Sequence, residues 1–455
     1  TTAWKAEEII IGENAVISAA NNYAIYHPEC GTLDIQGGTI TGTGGIQMCS
    51  GTLKISNSPK ITANGSADYD YTGDAGVVYD AAAISVINRG YPQGPATVTI
   101  KGTPTVTAAN GEVIHAFTWS NSNKTDGEWA EAGDYINVSG GTYNKEFNEA
   151  YLAADCTLVS GENGFTVEQK PVAEYNGTQY TSLAQAISDA NRAGTKAEVK
   201  LLDNVTLTSN LGIGGAAKVT LNLNKKTLTL DGAQIYTQGS ATVTIKKGTI
   251  KRTDAPTSGN ASNFAIQVMN GSTLLLGGSM VSDKVTLEST YGVYNYGGLL
   301  NVQYADITTD GWSIAVHDSQ NNIGKVIIGN VGTAKITSQN GNCIGTAVNT
   351  KSNVTIHKGT LTSNGTNWDA GPIYWASEGT LTIEGGTFTA SSAEGSTAAA
   401  VYQKNGTVKI SGESTKLSGN KALVVKTGDG STGTMTTELS GGTYSTKPDK
   451  SWLAA

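Results

Sequence analysis

The chain is 455 residues long, with 57 Gly, 9 Pro, 15% charged and 38% hydrophobic residues. That composition excludes a helical protein and wholesale disorder, because Gly, Thr and β-branched residues with enough apolar side chains to bury a core describe short strands joined by tight turns. A formal charge of -8 with no long basic run excludes nucleic acid or an anionic membrane surface as the partner. The sequence has no apolar run of about 18 residues to cross a membrane as a helix.

From the N-terminal side, Gly31 to Ile40 reads GTLDIQGGTI, a phrase of Gly-Thr-apolar-x-apolar followed by Gly-Gly-Thr-apolar. Weaker copies follow at 51–55 and 96–106. Apolar residues alternate within each copy, as Val98 with Ile100, which predicts short strands with one face buried. At Ser139 to Tyr143 the phrase becomes SGGTY and is followed by Tyr151, Leu152, Ala153 and Ala154. This predicts the end of a first module, with the apolar quartet covering its last rung.

Residues 156 to 215 interrupt the repeat. Thr181 to Ala193, TSLAQAISDANRA, puts Leu183, Ala186, Ile187 and Ala190 on one helical face and sets Ser182 and Gln185 at capping-box spacing. The pattern predicts a helix near 182–191, flanked by strands at Val172–Tyr175 and Ala197–Leu202 and laid over the open end of a second module.

The phrase resumes at 241–250 and recurs at 271–280 (GSTLLLGGSM), 299–307, 325–328, 353–361, 379–388 (GTLTIEGGTF) and 406–410, a spacing of about 27 residues. Most copies are preceded by a third apolar segment, as at Ala265–Val268, Gly292–Tyr294, Pro372–Trp375 and Ala400–Tyr402. Three strands in so short a period leave no room for helical crossovers. The expected fold is all-β: a right-handed parallel β-helix, one period per rung, with rungs stacked about 4.8 Å apart. A propeller is the rival, but its blades need about 40 residues each. SGGTY returns at Ser440 to Tyr444, 301 residues after its first copy (440 − 139), followed by Trp452, Leu453, Ala454 and Ala455. The expected organisation is therefore residues 1–170 as the C-terminal part of a first module, truncated at its N-terminus, and 171–455 as a complete second module.

The stretch from Val172 to Thr208 (VAEYNGTQYTSLAQAISDANRAGTKAEVKLLDNVTLT), the LNLNKKTLTL from Leu221, and SGGTY with YLAAD or WLAA resemble modules of large repetitive cell-surface proteins of anaerobic gut bacteria. The resemblance covers nearly the whole chain, and its motifs specify architecture. It implies tandem pectin-lyase-like β-helices on an extracellular bacterial surface, with signal peptide and wall anchor outside this segment and neighbouring modules of the same chain as partners. It further implies an adhesin-like role toward a host glycoprotein, a mucin glycan or immunoglobulin, which some such proteins bind. It supplies no catalytic motif.

The residues themselves leave an enzyme, a binder and a spacer stalk open. Hydrolysis of a glycan wants two carboxylates facing one cleft, yet outward positions of the main strand carry Asp34, Lys54, Thr99, Thr244, Thr382 and Lys409. The four histidines, His27, His115, His317 and His357, stand isolated in the sequence, so no catalytic residue is expected. Calcium is the one cofactor to weigh: Asp68, Asp70, Thr72 and Asp74 place hard oxygen ligands at alternate positions around Gly73, without the twelfth-position Glu of a calcium loop. An ordinary acidic loop is the expected reading of that string. Cys30 and Cys49 precede consecutive GTL phrases, so stacking can bring them within bridging distance, although an accidental pair of small residues is the simpler expectation. Tyr (19) outnumbers Phe (5), and several aromatics fall in insertions after the Gly-Gly-Thr strand. Insertions at one corner of a solenoid line one flank. The expected ligand contacts are accordingly Tyr69, Tyr71, Arg252, Trp312 and Trp368 in those loops, rather than strand faces rich in Thr, Lys and Ser.

Overall fold

The computed structural model describes residues 7–66, 80–91, 93–119, 126–256, 258–348, 350–427 and 434–454. Among these, short strands form mainly parallel sheets, and there is a single α-helix. The chain divides into two units, Thr1–Lys170 and Pro171–Ala455, and each has its own principal hydrophobic cluster.

In the second unit the chain visits three sheets in turn. Thr380–Ile383 lies in the first, Thr387–Thr389 in the second and Ala399–Gln403 in the third, and Thr407–Ile410 returns to the first. Equivalent strands pair in parallel, so Val354 stands beside Leu381 and Leu381 beside Val408. The second sheet repeats the arrangement with Leu361, Phe388 and Leu417, and the third with Ile344, Ile373 and Val401. All of these side chains are buried. Every rung adds several Leu, Ile or Val side chains to one continuous core, each contributing about 1.5–3 kcal/mol as an upper estimate. The alternation therefore specifies an all-β parallel solenoid.

The Gly-Gly pair is explained at the first SGGTY. A side chain on Gly140 would come within 2.2 Å of the Gly102 carbonyl in the adjacent rung, and Gly141 has φ +104°. The first position needs close stacking and the second a left-handed backbone, so only Gly serves both. Tyr143 then turns back to donate its hydroxyl to Gly140 O at 2.9 Å, as Tyr444 does to Gly441 O at 2.8 Å. Leu152 bridges to Val138 and Leu453 to Leu439, so the two apolar tails close their units by the same pairing. Ala455 lies outside the described residues.

Before the second unit, Cys156–Gly161 and Gly164–Gln169 form an antiparallel hairpin on the strand Thr142–Tyr143. The strands Ala173–Tyr175, Thr178–Tyr180 and Lys196–Leu201 then form the antiparallel start of the first sheet of unit two. The helix α1, Leu183–Arg192, lies between the second and third of these strands and buries Leu183, Ala186, Ile187 and Ala190. Ser182 accepts from the Gln185 N–H at 3.4 Å, but the Gln185 side chain donates to Asp189. The cap is thus one-sided and not the reciprocal box that the spacing predicted.

Candidate binding site

The third sheet of unit two carries a feature that period-two reasoning allows and composition hides. Its outward positions run Tyr236, Gln267, Tyr294, Ala315, Gly345, Tyr374, Tyr402, Val424 in register across adjacent rungs. Side chains at such positions stand one strand spacing apart, close enough for neighbouring rings to touch. Tyr374 and Tyr402 have ring centroids 6.0 Å apart.

Trp368 completes this cluster from the loop between the second and third sheets. The loop turns at Asn367, whose carbonyl accepts from the Ala370 N–H at 3.0 Å, and folds the indole back over the strands. Its centroid lies 5.4 Å from Tyr402 and 5.8 Å from Tyr374, yet the residue remains 45% exposed. Trp368, Thr397, Tyr402, Lys404, Lys421, Val424 and Lys426 line a cavity of about 510 Å³. Partial burial pushes the phenols of Tyr374 and Tyr402 up, and the neighbouring Asp369 adds to the effect at Tyr374. Both rings therefore stay neutral donors at physiological pH, with an apolar face beside a polar edge.

A second group, Tyr294, Tyr296, Phe264, Tyr291 and His317, lies further back on the same sheet. Ala315 and Gly345 separate it from the Trp368 cluster along the outward column. Burial pushes the His317 imidazole down.

The residues expected from sequence fall out differently. Trp368 stands at the cavity. Trp312 is 38% exposed in its loop but lies over Gly341, apart from the ring contacts that gather Trp368, Tyr374 and Tyr402. Tyr69 and Tyr71, and the string Asp68, Asp70, Thr72 and Asp74, lie outside the described residues.

Arg252 is corrected: it is buried and not an exposed contact. Its Nε and Nη2 donate to the two oxygens of Asp254 at 2.7 and 2.8 Å, and its Nη1 donates to Phe264 O at 2.8 Å and Ser262 O at 3.3 Å. Its role is to staple its own loop. These hydrogen bonds hold the Asp254 carboxyl below its ordinary value. A depressed folded pKa contributes stability that is present above the unfolded value of about 3.9 and is lost as pH falls through the folded one. Arg252→Met should cost about 1–2 kcal/mol at neutral pH, the Gln234 amide still serving the same two carbonyls. It should also flatten the fall in melting temperature below pH 4, as read by thermal scans from pH 3 to 7.

Strand faces poor in aromatic area are also corrected, since the third sheet carries the Tyr column in unit two. Unit one has a related cluster of Cys49, Ile87, Phe117 and Trp119, with Tyr26 and Tyr91 against it and the Arg89 guanidinium 3.9 Å from the Trp119 ring centroid. Burial pushes the Tyr26 phenol up to about 12 and raises the Cys49 thiol. Cys30 and Cys49 are free thiols, as are Cys156 and Cys343, so stacking does not bridge them.

Two histidines that stand alone in sequence are paired in space. His357 Nδ1 lies 2.6 Å from Glu384 on the neighbouring rung. His115 Nδ1 lies 2.5 Å from Asp80 Oδ2, and Asp80 also accepts from Tyr23, from Ser85 at 3.0 Å and from the Ala82 N–H at 3.2 Å. Partners 27 to 35 residues away become visible only once the rungs are stacked.

The fold and site define an all-β parallel solenoid with an aromatic, lysine-lined cavity on one sheet. Comparisons with family models, with curated proteins and with solved structures find no match to the chain.

Proposed function

We propose that the chain is a non-enzymatic binding module of a bacterial cell surface, built as two right-handed β-helices of about 27 residues per rung. Its ligand is a glycan of a host glycoprotein or mucin, and its contact surface is the cavity under Trp368. One observation carries this reading: Trp368 from a loop packs on Tyr374 and Tyr402 of two adjacent rungs, and its indole, 45% exposed, lines a cavity of about 510 Å³ with Tyr402. A pyranose ring has an apolar C–H face and a polar rim of hydroxyls, which suits an aromatic wall edged by phenol and ammonium donors. The cavity volume falls in the range of small-ligand sites, about 300–1,000 Å³.

The test is a binding screen of the purified chain against mucin glycopeptides, other host glycoproteins and immunoglobulin, with reducing ends assayed in parallel. Binding without turnover is expected. Trp368→Ala and Tyr402→Ala should each weaken glycan binding about thirtyfold, or about 2 kcal/mol, with smaller changes in melting temperature. Failure to bind any of these probes overturns the reading.

A second reading, a carbohydrate-active enzyme, is favoured by the Asp80–His115 pair, which borders a separate cavity of about 370 Å³ with Glu112, Lys145 and Glu146. It predicts new reducing ends that His115→Gln abolishes. A plain spacer stalk predicts neither binding nor turnover.

A further inference from the structure

We infer that the Trp368 cavity selects sugars bearing a carboxylate or sulfate, and that Lys421 and Lys426 receive the anion. The inference rests on the glycan-binding reading and adds a charge requirement to it. The protein as a whole is acidic, with 38 Asp and Glu against 30 Lys and Arg, yet three of the seven residues lining this cavity are lysines and none is acidic.

Lysines elsewhere on the same unit commonly face carboxylates. Lys246 pairs with Glu198 at 3.2 Å, Lys284 with Asp306 at 2.6 Å and Lys409 with Glu438 at 3.0 Å. Among the described residues, Lys421 and Lys426 form no ion pair. Both are exposed, at the start and just past the end of the strand Lys421–Val425, and Val424 between them faces the same cavity.

Register explains why the charges gather. Tyr374, Tyr402 and Val424 occupy consecutive outward positions, so the aromatic column ends where the strand carrying the two lysines begins. The ammonium groups therefore stand beyond Tyr402, at the end of the aromatic column. A neutral sugar would use the aromatic wall and ordinary hydrogen bonds to its hydroxyl rim. An acidic sugar stacked there would also satisfy ammonium groups that otherwise face water.

The test measures affinity by calorimetry for lactose, sialyllactose, a galacturonate trimer and sulfated lactose, at 20 and 300 mM NaCl. The wild type is compared with Lys421→Gln/Lys426→Gln and with Trp368→Ala. The wild type should bind at least one anionic probe about tenfold or more tighter than lactose, and the preference should shrink at high salt. Carboxylate and sulfate arms identify which anion is taken. The lysine double variant should lose the preference, binding the anionic probes no tighter than lactose, with unchanged melting, whereas Trp368→Ala should weaken all probes together.

Equal affinity of the wild type for lactose and every anionic probe, or an anionic preference that survives the double variant, overturns the charge inference and leaves the glycan reading standing. Absence of binding to all four probes, with mucin glycopeptides also unbound, overturns both.

Discussion

Trp375→Ala is expected to produce one of the largest losses of stability available in the second unit, about 3–5 kcal/mol. The indole is fully buried on the inward face of the third sheet, directly behind the Tyr374–Tyr402 wall, and pairs in register with Gln403. Truncation leaves a cavity between rungs whose backbones are fixed by parallel pairing on both sides, so little collapse can fill it. A solenoid transmits such damage mainly to neighbouring rungs. Amide exchange should therefore accelerate in Ile344–Thr346, Ile373–Trp375 and Ala399–Gln403 before it changes near α1. The indole N–H has no hydrogen-bond partner, so Trp375→Phe removes an unsatisfied donor along with part of the volume and should cost far less than Ala. Equal loss of protection throughout the unit would show that it unfolds as one block.

Much of this architecture was legible because its signal is periodic. Leu381 and Ile383 alternate in the sequence and are both inward in the structure, and Leu183, Ala186, Ile187 and Ala190 are the buried face of α1 as their spacing requires. The binding wall was legible in part. Ile235-Tyr236, Val293-Tyr294, Ile373-Tyr374 and Val401-Tyr402 repeat one apolar-Tyr step in four of the third segments, and that step alone places the rings outward.

What no local pattern carries is the direction in which a loop side chain folds. Trp368 sits in a loop, returns over the strands and stays half exposed, whereas Arg252 ends the strand Gly248–Arg252 on its inward face, where Asp254 and two carbonyls take its guanidinium. For Trp368 the direction is set by Tyr374 and Tyr402, the latter on the next rung. Buried polar residues show the same limit. Asn295 and Gln403 occupy inward positions where an apolar residue would be expected, and they serve turn backbone: Asn295 accepts from the Gly298 N–H at 3.0 Å, and Gln403 donates to Gly406 O at 2.8 Å. A buried amide is tolerated where it satisfies groups that would otherwise be orphaned.

The cap gives the other large effect. Ile187→Asp should detach α1 from the second unit and make the chain associate with itself. Ile187 is 1% exposed, on a helix that contacts the strands Lys196–Leu201, Leu211–Ile213 and Lys218–Asn222. A carboxylate there has no partner among the buried side chains of that face, all apolar, and burying it costs several kcal/mol. A ten-residue helix is not stable alone in water, so α1 should melt instead of shifting. Its loss would expose Ala197, Val199 and Leu201, now buried, at the end of a stack of parallel strands. On the outermost described strand of unit one, Ile9, in register with Leu33, is 51% exposed. An uncovered apolar end with unpaired strand edges invites pairing with another chain. Light scattering should therefore report concentration-dependent growth for Ile187→Asp and none for the wild type. Ser182→Ala is the control, since it removes only the 3.4 Å capping contact, should cost under about 1 kcal/mol, and leaves the apolar face in place. If Ile187→Asp stays monomeric and melts with the wild type, α1 is an ornament on a self-sufficient end and the capping argument fails.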